Sequence, residues 1–297
     1  MKVLNFGSLN LDYVYDVDHM VAPGETLAST ERTVFCGGKG LNQSIALARA
    51  GADVYHAGQV GPEGQMLIDA MDRQGVKTHL IRKTETSTGH AIIQVDKNGQ
   101  NCILLFGGAN RTLTTGYIDE VLESFDKGDV ILLQNEINLM DYIIDRAYEK
   151  GMTIVLNPSP YDEMISRCDL SKISFFLINE VEGAQISGHT EPDEILNAMR
   201  KQYPKAKVVL TLGSQGSVYQ DADQTVKQKI YKVDAVDTTA AGDTFTGFFI
   251  AAVLEDKTIA EAMNLAAKAS AIAVTRKGAS PSIPGRREVE SASIQIR

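Results

Sequence analysis

Four short apolar runs constrain the fold more than anything else in these 297 residues: positions 130–133, 153–156, 174–178 and 207–211. Each has the length of a strand, while the stretch reaching Lys150 and the one beginning at Glu180 have the length of helices. A run that is apolar at successive positions needs cover on both faces, which a parallel sheet wrapped by helices provides. The chain is therefore expected to form an α/β fold, a doubly wound, mostly parallel sheet flanked by helices. Its 43% hydrophobic content suffices for a large core, and no repeat or linker divides it, so residues 1–297 are expected to be a single domain.

In such a sheet, ligand groups collect at the carboxyl ends of the strands. This chain places Asn135 and Glu136, Asn157, Asn179 with Glu182, and Thr211 with Gly213 there. Helix caps and turns use the same residue types, so each alone has two readings. The first strand, residues 2–6, runs into Gly7-Ser8-Leu9-Asn10-Leu11-Asp12. Asn10 and Asp12, two apart in an extended segment, face one side and can together hold hydroxyl groups. A turn held by Asn and Asp is the alternative. Pro23-Gly24-Glu25 and Asn98-Gly99 mark turns and predict a small β-sheet, a lid subdomain, from residues 10–35 and 88–108. Its runs Ala91-Ile92-Ile93 and Cys102-Ile103-Leu104-Leu105-Phe106 are apolar at successive positions, so both faces of that hairpin are expected to be covered.

Cys36-Gly37-Gly38-Lys39-Gly40-Leu41-Asn42-Gln43-Ser44 is a glycine-rich turn feeding a helix that reaches Ala50 and stops at Gly51. Lys39 is followed by Gly40 rather than Ser or Thr, and no strand leads into G-x-G-x-x-G. Neither a Walker loop nor a dinucleotide fingerprint is present. Gly38, Lys39, Gly40 and Asn42 can wrap backbone and donors around a small polar ligand; a tight turn packed under a helix is the other reading.

The sharpest chemical signal is Asp237-Thr238-Thr239-Ala240-Ala241-Gly242-Asp243-Thr244-Phe245. Phe245, Phe248, Phe249, Ala252 and Val253 recur at helical spacing and predict a helix with one buried face, with Thr238 and Thr239 as good cap residues. Ala240, Ala241 and Gly242 leave the N–H groups of its first turn open to an anion such as phosphate. Asp243 puts a carboxylate at the same spot, where it would repel that anion unless it takes a proton from an attacking hydroxyl. A favourable charge in a first helical turn is the plainer alternative.

A net charge of −9 argues against a nucleic-acid or anionic-membrane surface and for small-molecule partners. No apolar run approaches the ~20 residues of a membrane helix, and the first apolar stretch is too short for a signal peptide. Cys36, Cys102 and Cys168 suggest neither a disulfide framework nor a zinc cluster. A cytoplasmic protein is expected.

These stretches, together with Gly107-Gly108-Ala109-Asn110, Asn179-Glu180-Val181-Glu182, Thr211-Leu212-Gly213-Ser214-Gln215-Gly216 and Thr275-Arg276-Lys277-Gly278-Ala279, resemble the ribokinase-like sugar kinases of the PfkB family over nearly the whole chain. The resemblance implies that Asn10, Asp12, Gly38, Lys39, Gly40, Asn42 and Glu136 bind a sugar, with Asp243 as the base and Ala240, Ala241 and Gly242 as the anion hole. It implies that Asn179, Thr211, Leu212, Gly213, Ser214, Gln215, Gly216 and Gly242 bind ATP, with Glu182 helping to hold Mg2+. A monovalent cation, K+, would sit among Asp237, Thr239, Ala273, Arg276, Gly278 and Ser282. Ala267 stands where relatives often carry Asn near the adenine.

The reaction so implied is transfer of the γ-phosphoryl group of ATP to the 5-hydroxyl of D-ribose. A kinase for deoxyribose, fructose or an adenosine-like nucleoside is the alternative, as is a non-catalytic sugar-binding relative. The acidic stretch from Asp12 to Asp18 disfavours a phosphorylated sugar. The exposed side of the small sheet is expected to pair with its copy in a homodimer.

Overall fold

Side chains that alternate between two helix layers build the main sheet. In the computed structural model, which describes residues 1–296, the strands are β1 (Val3–Phe6), β2 (Asn10–Asp16), β3 (Glu31–Gly37), β4 (Val54–Val60), β5 (Lys77–Lys83), β6 (Gly89–Val95), β7 (Asn101–Phe106), β8 (Val130–Gln134), β9 (Thr153–Asn157), β10 (Phe175–Asn179), β11 (Lys207–Thr211), β12 (Ser217–Gln220) and β13 (Thr225–Gln228). The helices are α1 (Lys39–Arg49), α2 (Gln65–Asp72), α3 (Thr115–Glu123), α4 (Met140–Glu149), α5 (Glu163–Ser166), α6 (Glu180–Ser187), α7 (Pro192–Gln202), α8 (Ala241–Leu254), α9 (Ile259–Ala273) and α10 (Arg286–Ser291).

The nine-stranded sheet has the order β13-β12-β11-β10-β9-β8-β1-β4-β5. It is parallel from β5 to β11, as the apolar runs predict, and the antiparallel pair β12 and β13 extends one edge. That extension was not foreseen, because residues 217–228 hold only short apolar patches. The chain leaves β1 on one side towards β4 and β5 and returns on the other side through β8. The switch point, where such sheets bind ligands, therefore lies between β1 and β8.

Two cores flank the sheet. Val3, Leu132 and Val209 face α1, α8 and α9 through Leu41, Phe248 and Met263; Leu4, Phe6, Ile131 and Leu133 face α3, α4 and α7 through Tyr117, Ile143 and Met199. Helix α8 departs from expectation. Every residue from Asp243 to Ala252 is buried, so the helix has no exposed face in that stretch. It packs between α1, α9 and the sheet, and its small residues on the supposedly outer side are covered by neighbouring helices. Burying Phe248 and Phe249 contributes about 1.5–3 kcal/mol each.

The second sheet has the order β3-β2-β6-β7. The Asn98-Gly99 turn joins β6 to β7, with Asp96 accepting from the N–H groups of Asn98 and Gln100. The expectation of cover on both faces of this hairpin fails within one chain: Ile103, Leu104, Leu105 and Phe106 are 57%, 67%, 46% and 50% exposed. Strand β7 is an edge, and among the described residues no strand pairs with its free side.

Candidate active site

Strands β1 and β8 pair with Phe6 opposite Leu133, so the loops leaving them start side by side. The first carries Ser8 and leads into Asn10 at the start of β2, and the second carries Glu136. Ser8 Oγ donates to Glu136 Oε2, the Lys39 N–H donates to the same oxygen at 3.0 Å, and the Gly40 N–H donates to Ser8 Oγ at 3.2 Å. The start of α1 is thereby fastened over the switch point. Gly40 reads as a packing residue, since a Cβ there would stand 2.4 Å from Ser8 N and its own carbonyl accepts from Asn5.

A cavity of about 140 Å³ opens beside this junction, lined by Asn10, Leu105, Gly107, Asn110, Arg111 and Glu136. Asn110, for which the sequence alone suggests no task, holds Asn10 Oδ1 at 2.7 Å and pins Leu9 by accepting from its N–H and donating to its carbonyl. Of the sugar-binding residues named above, Asn10 and Glu136 line the cavity. Asp12 lies on β2 on the same side as Asn10, and Gly38 is the residue before α1. Lys39 and Asn42 link the cavity to Asp243: Lys39 binds Glu136 through its backbone, and Asn42 Nδ2 donates to Asp243 Oδ2 at 3.0 Å.

Electrostatics mark the same place. Burial pushes the Asp12 carboxyl up to about 7, and the Glu136 carboxylate adds to the rise. Burial also raises Glu136, against the pull of the Lys39 ammonium. For Lys39 burial works downward, but the carboxylates of Asp243, Glu136 and Glu182 outweigh it and hold the ammonium above its ordinary value. An uncharged ligand rich in hydroxyls suits a site whose charges already answer one another.

A second cavity, of about 450 Å³, lies on the other side of the α8 start. Thr211, Gly213, Ser214, Gly216, Ala241 and Gly242 line it, and so does Ala267. Three predicted nucleotide residues do not. Leu212 is buried in the core, Gln215 is exposed, and Asn179 caps α6 by accepting from the N–H groups of Val181 and Glu182. Glu182 completes that capping box by accepting from the Asn179 N–H at 3.0 Å. The far wall, running from Lys229 through Tyr231 to Ala235, was missed, since no turn or period in that stretch announces it.

The turn into α8 is narrower than expected. Thr238 and Thr239 do not cap it: the residue before the helix is Ala240, with no side-chain cap, and Thr239 Oγ1 instead donates to Asp237 Oδ1 at 2.5 Å. Of the expected anion-hole residues, Ala241 turns its N–H back onto Thr238 O at 3.2 Å, while the N–H groups of Ala240 and Gly242, and that of Asp243, have no acceptor among the described residues. Asp237 also accepts from the N–H groups of Thr239 and Gly278, both at 2.9 Å. Although burial pushes its carboxyl up, these bonds and Lys277 hold it below the ordinary range. They bring Asp237, Thr239 and Gly278 together; the Ala273 carbonyl accepts from Arg276 N–H, and Ser282 Oγ donates to Ala279 O.

Known proteins share this architecture. The pfkB family carbohydrate kinase pattern matches residues 1–286. A ribokinase of Haemophilus influenzae is 36% identical over 291 residues, covering 95% of each chain. A deoxyribokinase of Salmonella typhi is 32% identical over 293 residues, covering 96% of each. The structure of Arabidopsis thaliana ribokinase complexed with ribose and ATP superposes with a TM-score of 0.86 at 29% identity, covering 97% of each chain.

Proposed function

The chain belongs to the pfkB family of carbohydrate kinases, and from that premise we propose that it transfers the γ-phosphoryl group of ATP to the 5-hydroxyl of D-ribose, giving D-ribose 5-phosphate and ADP. One observation carries the reading. Gly242 lines the larger cavity, while the next residue, Asp243, is bonded to Asn42 of the same helix start whose Lys39 N–H holds Glu136 of the smaller one. The first turn of α8 therefore joins an acceptor cavity to a donor cavity, with a buried carboxylate at the joint.

In the reaction, Asn10, Asp12, Asn42 and Glu136 orient the sugar by accepting from and donating to its hydroxyls. Asp243 takes the proton of the attacking hydroxyl. The free N–H groups at the α8 start, with the helix dipole behind them, hold the charge that develops on the phosphoryl oxygens. Lys39, kept protonated by its acidic neighbours, adds a positive charge beside the reacting groups.

Among the described residues no group of three or more His, Cys, Asp or Glu is arranged to hold a metal. Mg2+ would be carried by the nucleotide phosphates and would supply charge neutralisation there, with Glu182, whose charge also acts on Lys39, as the acidic residue for it. A K+ ion fits the oxygen-rich region around Asp237, Thr239, Ala273, Arg276, Gly278 and Ser282, behind the turn that presents the N–H donors. The small sheet acts as a lid, supported by Leu105 of β7 lining the acceptor cavity. Its exposed apolar side is the surface through which two copies pair. Among the described residues no helix is long and apolar enough to cross a membrane. A cytoplasmic site of action accords with ATP as donor and with three unpaired cysteines.

The test is a panel of ribose, 2-deoxyribose, fructose and adenosine with ATP, scored by ADP release. Ribose is expected to give the highest kcat/KM. A higher value with 2-deoxyribose would move the assignment to the deoxyribose kinases.

A further inference from the structure

Asp243 does not stand alone at the joint between the cavities. Its Oδ2 accepts from Asn42, and its Oδ1 accepts from Gln43 Nε2 at 2.9 Å. Gln43 is fully buried, and each part of its amide is committed: the second N–H donates to Asn157 Oδ1 at 2.9 Å, and the carbonyl accepts from Gln134 Nε2 at 2.7 Å. Gln134 gives its other N–H to Asn5 Oδ1 at 3.0 Å, and Asn5 gives both of its own to Gly40 O and Ser44 Oγ at 2.8 and 2.9 Å. Asn157 in turn donates to Leu177 O at 2.8 Å.

The direction of this chain is not arbitrary. A backbone carbonyl can only accept, so Gly40 O and Leu177 O force Asn5 and Asn157 to point their amide nitrogens outward and their oxygens inward. Those oxygens require N–H groups from Gln134 and Gln43. With Gln134 also donating to the Gln43 carbonyl, the N–H side of Gln43 must face the carboxylate. Reversing any one amide would set oxygen against oxygen among buried side chains. The cost is one orphan, Gln134 Oε1, which has no partner among the described residues.

We propose that Gln43 is a positioning residue for Asp243 and that Gln134 and Asn5, acting through it, fix the end of its amide that meets the carboxylate. This rests on Asp243 being the base. Oδ1 is tied into the interior and the carboxylate cannot turn, so Oδ2, on the Asn42 side, is the oxygen that receives the proton. Misplacement of a reacting group by about 1 Å can cost ~10²-fold in rate.

The experiment compares Gln43→Met and Gln134→Met, which keep unbranched side chains of similar length but lack the donors, in the wild type and in an Asp243→Asn background. Folding is checked by thermal melts, and steady-state kcat and KM are read with ribose and ATP. Gln43→Met is expected to lower kcat about 10- to 100-fold with both KM values within about twofold. Gln134→Met should give a smaller loss of the same kind, and it carries the test if Gln43→Met does not fold. With the base removed there is nothing to position, so neither substitution should lower the residual rate further. Losses that multiply in that background, a loss confined to KM, or a kcat within about threefold of wild type for both folded variants would overturn the proposal. If Asp243→Asn alone keeps more than about a tenth of the rate, the base assignment fails first.

Discussion

The Asp12 carboxylate lies directly over Gly37: a methyl group on Gly37 would stand 1.9 Å from Asp12 Oδ2 and 2.4 Å from its Cγ. The two residues belong to adjacent antiparallel strands, and the missing side chain on β3 is the space that Asp12 occupies. Gly37→Ala should therefore evict the carboxylate while the two strands stay paired. The expected result is a rise of about tenfold or more in KM for ribose, by loss of a charge-assisted contact, with a smaller change in kcat. Initial rates over a ribose series measure it; an unchanged KM would mean that Asp12 does not touch the sugar.

Asp12 also gives the acceptor site a pH dependence. Its carboxyl titrates near 7 because of burial and of Glu136. Sugar hydroxyls donate to the ionised form, so protonation competes with binding, and KM for ribose should rise by about tenfold between pH 8 and pH 6. The folded state binds a proton more tightly than the unfolded chain, whose carboxyl titrates near 3.8. Stability therefore falls as pH rises from about 4 to about 7 and is level in this respect above that. Asp12→Asn should flatten both curves, with a Tm gain over wild type at pH 8 that vanishes near pH 4. Paired melts at those two pH values decide it.

Asp243→Asn should cost ~10²–10⁴-fold in turnover, the usual worth of a general base, without loss of fold. The structure explains the tolerance. Asn42 Oδ1 has no partner among the described residues, so rotating that amide offers an acceptor to the introduced one while Gln43 still donates to the remaining oxygen. Circular dichroism and nucleotide affinity should stay close to wild type. Retention of more than about a tenth of the rate would reduce Asp243 to a charge at a helix start.

Potassium is expected to raise turnover severalfold when it replaces tetramethylammonium at constant ionic strength, and Asp237→Ala should abolish the gain. Asp237 ties the loop before α8 to the one after α9 through Thr239 and Gly278. A cation at that knot would stiffen the turn that presents the Gly242 and Asp243 N–H groups. Equal rates in the two salts would remove the cation from the scheme.

Sedimentation at micromolar concentration should show a dimer, and Leu104→Lys should give monomers. Leu104 is 67% exposed on an edge strand whose four consecutive apolar side chains are each close to half exposed or more. A wild-type monomer would leave that surface without a partner.

What the sequence disclosed follows from the range over which each signal acts. Strands β8 to β11 were legible because each is apolar along its own length, and the hairpin because Asn98-Gly99 is a local turn. Helix α8 was misread as one-faced because Thr246, Gly247 and Ala251 look neutral on a helical wheel, although small residues are what let neighbouring helices close over it. Glu136 could be picked from its place past a strand end. Gln134, two positions earlier, could not, since its task depends on Gln43, 91 positions away, and that of Gln43 depends on Asp243, 200 positions away. Asn179 and Glu182 carried a local cap signal, and the structure puts them to that use.

The linings of the two cavities share no residue. The acceptor side draws on positions 10 to 136, and the donor side draws on positions 211 to 274. Substitutions that reshape one pocket need not pass through the other, and only the α8 start, bonded to Asn42 and Gln43, must answer to both. Such a plan lets a lineage change the sugar it accepts while its nucleotide machinery is inherited intact.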